Sequence, residues 1–161
     1  MRIVTWNVNG LRAIIGGKRH GAVTSLRELL DSTGADILCV QETKLTRSEL
    51  TEQIALAEGW QAFFDFSLHK TGYSGVATFS KSWCSPCAAQ RGLVGPHAAD
   101  HAHLSAEDQA ALDAEGRCIM TDHGAFVLFN VYIPALSCEE RAEVRTLPAG
   151  TVPRAMTLPP P

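Results

Sequence analysis

An uninterrupted apolar segment in the first third of the chain restricts the fold more than any other sequence feature. Residues 37–40 (ILCV) are all apolar, and the polar residues Asp36 and Gln41 flank them. A strand with one face in water alternates apolar and polar residues, whereas a strand covered on both faces is a continuous apolar run. The sequence therefore predicts a central strand over residues 36–41, in a layered α/β fold.

Strand and helix patterns alternate around this central strand. A β-branched and aromatic run ends at Asn9 and Gly10, which favour a turn. Gly34 follows a segment of helical apolar spacing as a left-handed cap, and Thr46 with Glu49 matches a capping box that begins a second helix. The predicted elements are a strand over residues 3–8, a helix over 22–32, the strand over 36–41 and a helix over 46–58.

Beyond residue 60 the pattern changes to antiparallel pairing. Two strand-like runs flank a glycine-containing connection of hairpin length, and two more flank a turn that contains Gly124. Between the pairs, residues 83–103 are rich in Gly, Pro, Ala and His and predict a long irregular surface segment. The predicted strands cover residues 60–66, 74–79, 118–121 and 126–133, with a short helix over 105–115.

The chain divides into a folded portion and a tail of different composition. Residues 1–136 contain the strand and helix patterns, whereas residues 137–161 are first charged and then proline-rich, with little to bury. We predict a single domain portion over residues 1–136 and a disordered tail over residues 137–161.

Net charge and hydropathy restrict the partners. The formal charge of −3 gives no global electrostatic reason to bind a polyanion, so any nucleic-acid contact must be local or assisted by a metal. No apolar stretch is long enough to span a bilayer, so we expect no membrane partner.

Polar residues gather at the ends of the predicted strands, where layered α/β folds bind their ligands. Asn7 lies at the C-terminal end of the first strand, and Glu42 directly follows the central one. A carboxylate and an amide oxygen suit a hard cation such as Mg²⁺, which keeps several waters, and this makes Glu42 the best candidate ligand. The simpler alternatives are a turn-forming Asn7 and a Glu42 that caps its loop or pairs with Lys44.

Two cysteines and two histidines offer a second possible metal site. Cys84 and Cys87 have the spacing of a zinc-binding pair, and His97 and His101 follow them. The gap between the pairs is short for a zinc finger and no finger core surrounds it, so zinc is the disfavoured alternative.

Four ordered motifs give the chain a resemblance to the exonuclease III / AP endonuclease family of the endonuclease/exonuclease/phosphatase superfamily. Their order and separations, rather than any single match, make the resemblance specific. Asn9 and the insertion around residues 92–112 are most similar to the second eukaryotic branch of that family. The motifs are residues 6–12 (WNVNGLR), 41–44 (QETK), 72–77 (GYSGVA) and 130–134 (NVYIP).

The resemblance implies a fold and a reaction centre. The fold would be the N-terminal part of a four-layer α/β sandwich, of the DNase I-like type, incomplete at its C-terminus. Glu42 and Asn7 would hold Mg²⁺, or Mn²⁺, and Tyr132 would act catalytically on the scissile phosphate. The reaction would be hydrolysis of the phosphodiester 5′ to an abasic site, with 3′–5′ exonuclease and 3′-phosphodiesterase activity.

The resemblance also implies how DNA would be held and where the protein would act. Asn9, Arg12 and Lys44 would contact the phosphate backbone, and Tyr73 would project from a hairpin into a groove beside the damaged nucleotide. The partner would be double-stranded DNA with abasic or 3′-blocked ends. We expect a nuclear location, with the mitochondrion or cytoplasm as alternatives.

The family's later Gly-Asp-x-Asn and Ser-Asp-His segments have no match in this sequence. We therefore expect a truncated or alternatively spliced product with exposed apolar edges and low stability. One alternative is a catalytically inactive isoform that binds DNA or repair partners; another keeps the fold but acts on RNA 3′ ends or inositol phosphates. The aspartates that lie in other contexts are Asp100, Asp108, Asp113 and Asp122.

Overall fold

Two β-sheets and several short helices make up the computed structural model, which describes residues 1–16, 23–94 and 104–135. The first sheet contains β1 (Ile3–Asn7), β2 (Ile37–Gln41), β3 (Trp60–Asp65) and β4 (Val76–Lys81). The second contains β5 (Ala88–Arg91), β6 (Cys118–Asp122) and β7 (Val127–Val131). The α-helices are α1 (Leu11–Ile15), α2 (Leu26–Thr33), α3 (Glu52–Ala55) and α4 (Ala106–Asp113), with 3₁₀ turns at Arg47–Glu49 and Ser82–Cys84.

The central position of β2 confirms the strand predicted from its apolar run. The strand order of the first sheet is β1-β2-β4-β3, with β1 parallel to β2 and the other pairs antiparallel. Ile37, Leu38 and Val40 have no exposed surface. Leu38 and Val40 join the core formed with α1 and α2, and the second sheet covers the other face. The layers of helices, first sheet and second sheet agree with the predicted α/β sandwich.

Helix α2 follows its sequence signals closely. The Ser25 hydroxyl accepts a hydrogen bond of 3.2 Å from the Glu28 backbone N–H, which caps the first turn. Gly34 adopts the predicted left-handed conformation with φ of 61° at the other end. Leu26, Leu29 and Leu30 are buried against the first sheet.

The prediction of one continuous helix over residues 46–58 is wrong. Glu49 accepts a hydrogen bond of 2.8 Å from the Thr46 backbone N–H, so the capping contact is present. The backbone then becomes extended at Leu50 and Thr51 before α3 begins. Leu50 packs against the core from this extended segment, and Ile54 does so from α3, so burial of both side chains overrides helical continuity.

Two other elements differ from the prediction. The surface segment over residues 83–103 was predicted to be irregular, but β5 lies within its described part and pairs antiparallel with β6. Two of its four residues, Ala88 and Ala89, carry weak strand preference, so pairing with β6 determines its conformation. Helix α1 was not predicted, and it buries Leu11, Ile14 and Ile15 directly after β1.

The second sheet pairs β6 with β5 on one side and with β7 on the other. The predicted hairpins, β3 with β4 and β6 with β7, are both confirmed. At the β7 edge, Val127 and Phe129 are 50% and 60% exposed, which agrees with the apolar edge predicted from the sequence. No helix in the described ranges is long and apolar enough to cross a membrane. The predicted tail over residues 137–161 lies outside the described residues.

Candidate functional site

The ends of β1 and β2 bring the predicted metal ligands to one edge of the first sheet. These strands are parallel, and their register pairs Asn7 with Gln41. The Val8 backbone N–H extends the ladder by donating to the Gln41 carbonyl at 3.0 Å. Because parallel strands end on the same side, Asn7 lies beside Glu42, which follows Gln41 in the chain.

Glu42 lies at the centre of a polar cluster at this edge. Its Oε1 accepts a hydrogen bond of 2.8 Å from Asn7 Nδ2, and its Oε2 lies 3.3 Å from Lys44 Nζ. Hydrogen bonds from Asn7, then from Lys44 and Tyr132, hold the pKa of Glu42 below its ordinary value. The carboxylate is therefore ionised at neutral pH. The predicted pairing with Lys44 and the predicted position beside Asn7 are both present.

The backbone of residues 42–44 directs alternate side chains to opposite sides. Glu42 and Lys44 adopt left-handed φ angles of 53° and 55°, conformations that non-glycine residues rarely take. Thr43 between them is 1% exposed, whereas the side chains of Glu42 and Lys44 are 20% and 35% exposed. Hydrogen bonds to neighbouring segments hold this conformation: Gly10 N–H to the Glu42 carbonyl at 2.7 Å, Leu11 N–H to the Thr43 carbonyl at 3.0 Å, Thr43 N–H to the Gly75 carbonyl at 2.9 Å and Lys44 N–H to the Ser74 carbonyl at 3.0 Å.

Asn9 joins the cluster through its side chain and its backbone. Its Oδ1 accepts a hydrogen bond from Lys44 Nζ, and its backbone N–H donates to Asn7 Oδ1 at 3.1 Å. The turn-forming alternative for Asn7 is thus present together with the contact to Glu42. Asn7, Asn9, Glu42 and Lys44, which come from the first two of the four motifs, form one hydrogen-bonded group.

Tyr132 approaches Glu42 from the end of β7 in the second sheet. Its backbone N–H donates to the Arg117 carbonyl at 2.9 Å, and its hydroxyl hydrogen-bonds Glu42. Burial, and then the negative charge of Glu42, raise the pKa of Tyr132 above its ordinary value. The hydroxyl therefore stays protonated at neutral pH and can donate to an anionic oxygen.

Asn130 links the two sheets behind this cluster, and its role is structural. It is 2% exposed, and its Nδ2 donates to the Ala77 carbonyl at 2.9 Å and the Val40 carbonyl at 3.3 Å. Its Oδ1 accepts from Gln41 Nε2 at 2.7 Å. The fourth motif begins at Asn130, and the structure places this residue at the interface between the two sheets.

Two predicted DNA-binding residues lie outside the hydrogen-bonded group. Arg12 forms an exposed ion pair with Glu49, with 2.8 Å between Nη2 and Oε1. Tyr73 follows β3 in the hairpin that leads to β4, and its hydroxyl accepts a hydrogen bond of 2.6 Å from Arg117 Nη2. Arg117 is not among the predicted site residues, because a single basic residue directly before an apolar strand is typical of a solvent-exposed strand end.

The oxygen donors of this cluster fit a hard divalent cation. The described residues contain no group of three or more His, Cys, Asp and Glu side chains that could hold a metal. Mg²⁺ needs fewer protein ligands, since it keeps several waters, and the ionised Glu42 with the amide oxygen of Asn7 supplies oxygen donors of the kind it prefers. In this arrangement one carboxylate oxygen of Glu42, Oε2, forms an ion pair with Lys44.

The described half of the alternative zinc site is not assembled. The Cys84 thiol donates to the Asp36 carbonyl at 3.5 Å, and the Cys87 thiol donates to the Asp122 carbonyl at 3.2 Å. One thiol thus contacts the residue before β2 and the other contacts the last residue of β6. His97 and His101, the other two residues of that prediction, lie outside the described residues.

Comparison with solved structures supports the predicted fold. The crystal structure of the Xenopus laevis APE2 catalytic domain matches with a TM-score of 0.72 and 37% identity, over 90% of this chain and 49% of that one. A structure of the 3′ phosphatase NExo from Neisseria, bound to a product DNA hairpin, matches with a TM-score of 0.55 and 26% identity, over 82% of this chain and 41% of that one. The predicted fold class, part of a DNase I-like α/β sandwich, is confirmed.

Comparison with other sequences identifies the family. DNA-(apurinic or apyrimidinic site) endonuclease 2 of Xenopus laevis is 41% identical over an alignment of 165 positions, which covers 96% of this chain and 28% of that protein. The chain spans less than a third of the length of the endonuclease 2 relatives it matches. The model of the Endonuclease/Exonuclease/phosphatase family matches residues 4–128. These matches confirm the predicted resemblance, and the chain belongs to the Endonuclease/Exonuclease/phosphatase family.

Proposed function

We propose that the chain forms the metal-binding and phosphate-binding part of a DNA-repair nuclease. The reaction is metal-dependent hydrolysis of the phosphodiester 5′ to an abasic site, with 3′–5′ exonuclease and 3′-phosphodiesterase activity on double-stranded DNA. The observation that carries the proposal is the contact of one ionised carboxylate, Glu42, with Asn7, Lys44 and Tyr132 at the strand ends. Relatives named as AP endonucleases support the choice of DNA.

Glu42 and Asn7 would hold Mg²⁺ or Mn²⁺. When bound, such a cation offsets the negative charge that develops on the phosphate oxygens during hydrolysis. The low pKa of Glu42 keeps its carboxylate available across the neutral range. Lys44 would leave Glu42 and turn to a DNA phosphate, since its ammonium group is an exchangeable point charge on a flexible stem.

Tyr132 and the asparagines supply the hydrogen bonds of the proposed site. The protonated Tyr132 hydroxyl would donate to a non-bridging oxygen of the scissile phosphate, where charge accumulates in the transition state. Asn9 and Arg12 would contact the neighbouring backbone phosphates, and Tyr73 would contact the groove. These contacts are local, which is consistent with a net charge of −3.

The test is incision of a labelled duplex that carries one abasic-site analogue. The unmodified chain is assayed in Mg²⁺, in Mn²⁺ and in EDTA, beside Glu42→Gln and the matched surface variant Glu52→Gln. We expect metal-dependent incision that Glu42→Gln removes and Glu52→Gln preserves. Incision that persists in Glu42→Gln would contradict the assignment of this carboxylate.

A second candidate function is DNA binding without catalysis, and the surroundings of the aspartates favour it. Hydrolysis needs a base for the attacking water. Asp113 accepts hydrogen bonds from the Leu93 and Val94 backbone N–H groups, and Asp108 contacts Ser105 at the start of α4. These carboxylates serve loops and caps instead of the Glu42 cluster. Duplex affinity without incision, in the same assay, would select this function.

A further inference from the structure

Arg117 lies between the only two tyrosines of the chain. Its Nη2 donates a hydrogen bond of 2.6 Å to the Tyr73 hydroxyl. Its guanidinium carbon is 5.3 Å from the centroid of the Tyr73 ring and 5.0 Å from that of the Tyr132 ring. A guanidinium at these distances is attracted by the faces of both rings. One cation therefore contacts the hairpin tyrosine and the tyrosine of the Glu42 cluster together.

The surroundings of Arg117 fix this cation in place. The residue is 8% exposed, its Nε forms an ion pair with Glu115, and its backbone carbonyl accepts the Tyr132 N–H. Gly116 contributes by its lack of a side chain, because a Cβ there would lie 2.2 Å from the Phe66 backbone. A buried arginine with a planar, hydrogen-bonded guanidinium loses little further freedom when it orders its neighbours.

We propose that Arg117 is a positioning residue that couples Tyr73 to Tyr132, so that the hairpin and the Glu42 cluster move as one unit when DNA binds. The coupling acts through the two rings, because Nη1 is buried and has no hydrogen-bond partner among the described residues, and so cannot reach a phosphate directly. The role of Arg117 in DNA binding rests on the proposed function, whereas the coupling of Tyr73 to Tyr132 is a property of the free protein.

Lys70 provides an internal comparison for the coupling. Its Nζ lies 5.0 Å from the centroid of the Tyr73 ring, and Lys70 itself is exposed. Lys70 therefore presents a cation to one tyrosine only, whereas Arg117 presents a cation to both. Loss of Lys70 should affect Tyr73 alone.

The first arm of the test uses the full chain labelled with 3-fluorotyrosine, which gives two ¹⁹F resonances. Tyr73→Phe leaves only the Tyr132 resonance and should displace it, because the hydrogen bond that orients Arg117 is lost. In an Arg117→Lys background the same Tyr73→Phe change should leave the Tyr132 resonance in place, since an ammonium cannot stack and donate as a guanidinium does. Lys70→Gln should move the Tyr73 resonance only.

Equal displacement of Tyr132 by Tyr73→Phe in both backgrounds, or none in either, would overturn the coupling. If Arg117→Lys does not fold, Glu115→Gln replaces it, because that variant removes the anchor of Nε and keeps the guanidinium. Weaker coupling in Glu115→Gln supports the proposal, and coupling equal to that of the unmodified chain contradicts it.

The second arm adds a duplex with an abasic-site analogue and follows both ¹⁹F resonances and fluorescence anisotropy. We expect the two resonances to shift together in the unmodified chain, and Arg117→Lys to lose duplex affinity by about tenfold. Binding with independent shifts of the two resonances would overturn the positioning role while the proposed function stands. Absence of binding in the unmodified chain would overturn the proposed function, and the first arm would still decide the coupling.

Discussion

Thr43 and Gly75 approach so closely that a methyl group on Gly75 would lie 2.3 Å from the Thr43 hydroxyl oxygen. The Thr43 N–H also donates to the Gly75 carbonyl at 2.9 Å. This contact joins the loop that carries Glu42 to the start of β4, directly after the hairpin that carries Tyr73. The separation of the two proposed DNA-contacting regions is therefore set by a position at which only glycine fits.

Gly75→Ala should destabilise the protein by about 2–4 kcal/mol, because its Cβ meets a buried hydroxyl and its φ is 83°. Gly124→Ala is the matched control, since Gly124 has a similar φ of 77° with nothing within 4 Å of its Cβ. We expect about 1–2 kcal/mol there, from backbone strain alone. Urea unfolding measures both variants, and equal losses would contradict the steric argument.

Asn130→Ala should cost about 2–4 kcal/mol of unfolding free energy. The substitution leaves the buried carbonyls of Val40 and Ala77 without their side-chain donor and removes the acceptor of the Gln41 amide. Gln53→Ala, at an exposed position in α3, should change stability by no more than about 0.5 kcal/mol. A loss below about 1 kcal/mol for Asn130→Ala would show that Asn130 does not hold the sheets together.

Asp65 should make stability depend on pH near neutrality. The residue is 2% exposed, and burial raises its pKa from 3.8 to about 6, with Arg91 opposing the shift and Asp113 adding to it. Because the folded-state pKa is the higher one, the stabilisation is complete below about pH 4 and is lost as the pH rises through 6. The free energy of unfolding of Asp65→Asn, relative to that of the unmodified chain, should therefore rise by roughly 2–3 kcal/mol between pH 4 and pH 8.

Denaturant titrations at several pH values measure this difference. Asp31→Asn is the control, because the hydrogen bond from Arg27 holds the pKa of Asp31 below its ordinary value. Its effect should stay constant between pH 5 and pH 8. A constant difference for Asp65→Asn over the whole range would show that folding does not raise the pKa of Asp65.

Lys44→Gln should weaken duplex binding and lower its salt dependence. In the proposed complex Lys44 neutralises one phosphate, so the slope of log affinity against log salt should fall by about 0.9. Lys81→Gln is the control, since Lys81 pairs with Asp36 at the opposite end of the first sheet, at 3.1 Å. Fluorescence anisotropy at three salt concentrations provides the slopes. An unchanged slope for Lys44→Gln would remove Lys44 from the DNA contact.

The elements that could be predicted from the sequence are those whose burial is indicated by a local pattern of apolar and polar residues. The apolar run of β2, the strand-like runs and glycine turns of the hairpins, and the cap at Gly34 each needed only a few neighbouring residues. The break at Leu50 and the strand character of β5 depend on distant partners, the core and β6. No local pattern carries that information.

The candidate site divides in the same way. The motifs named five residues that the structure brings together: Asn7, Asn9, Glu42, Lys44 and Tyr132. Apart from the pairing of Glu42 with Lys44, the hydrogen bonds within the site could not be predicted, because the register of β1 with β2 and the left-handed angles of the loop determine them. Arg117 contacts residues 44 and 15 positions away in the sequence, so only the fold reveals it.

The Asn130 contacts have a consequence for how β7 aligns with its neighbour. A shift of β7 by one residue would place Phe129 or Val131 opposite the Val40 and Ala77 carbonyls, and would remove the side-chain hydrogen bonds that these carbonyls accept from Asn130. The same shift would turn the tyrosine two positions later away from Glu42. A register error in β7 would therefore remove both the Asn130 contacts and the contact of Tyr132 with Glu42. The register that places Asn130 correctly also forms the carboxylate-tyrosine contact.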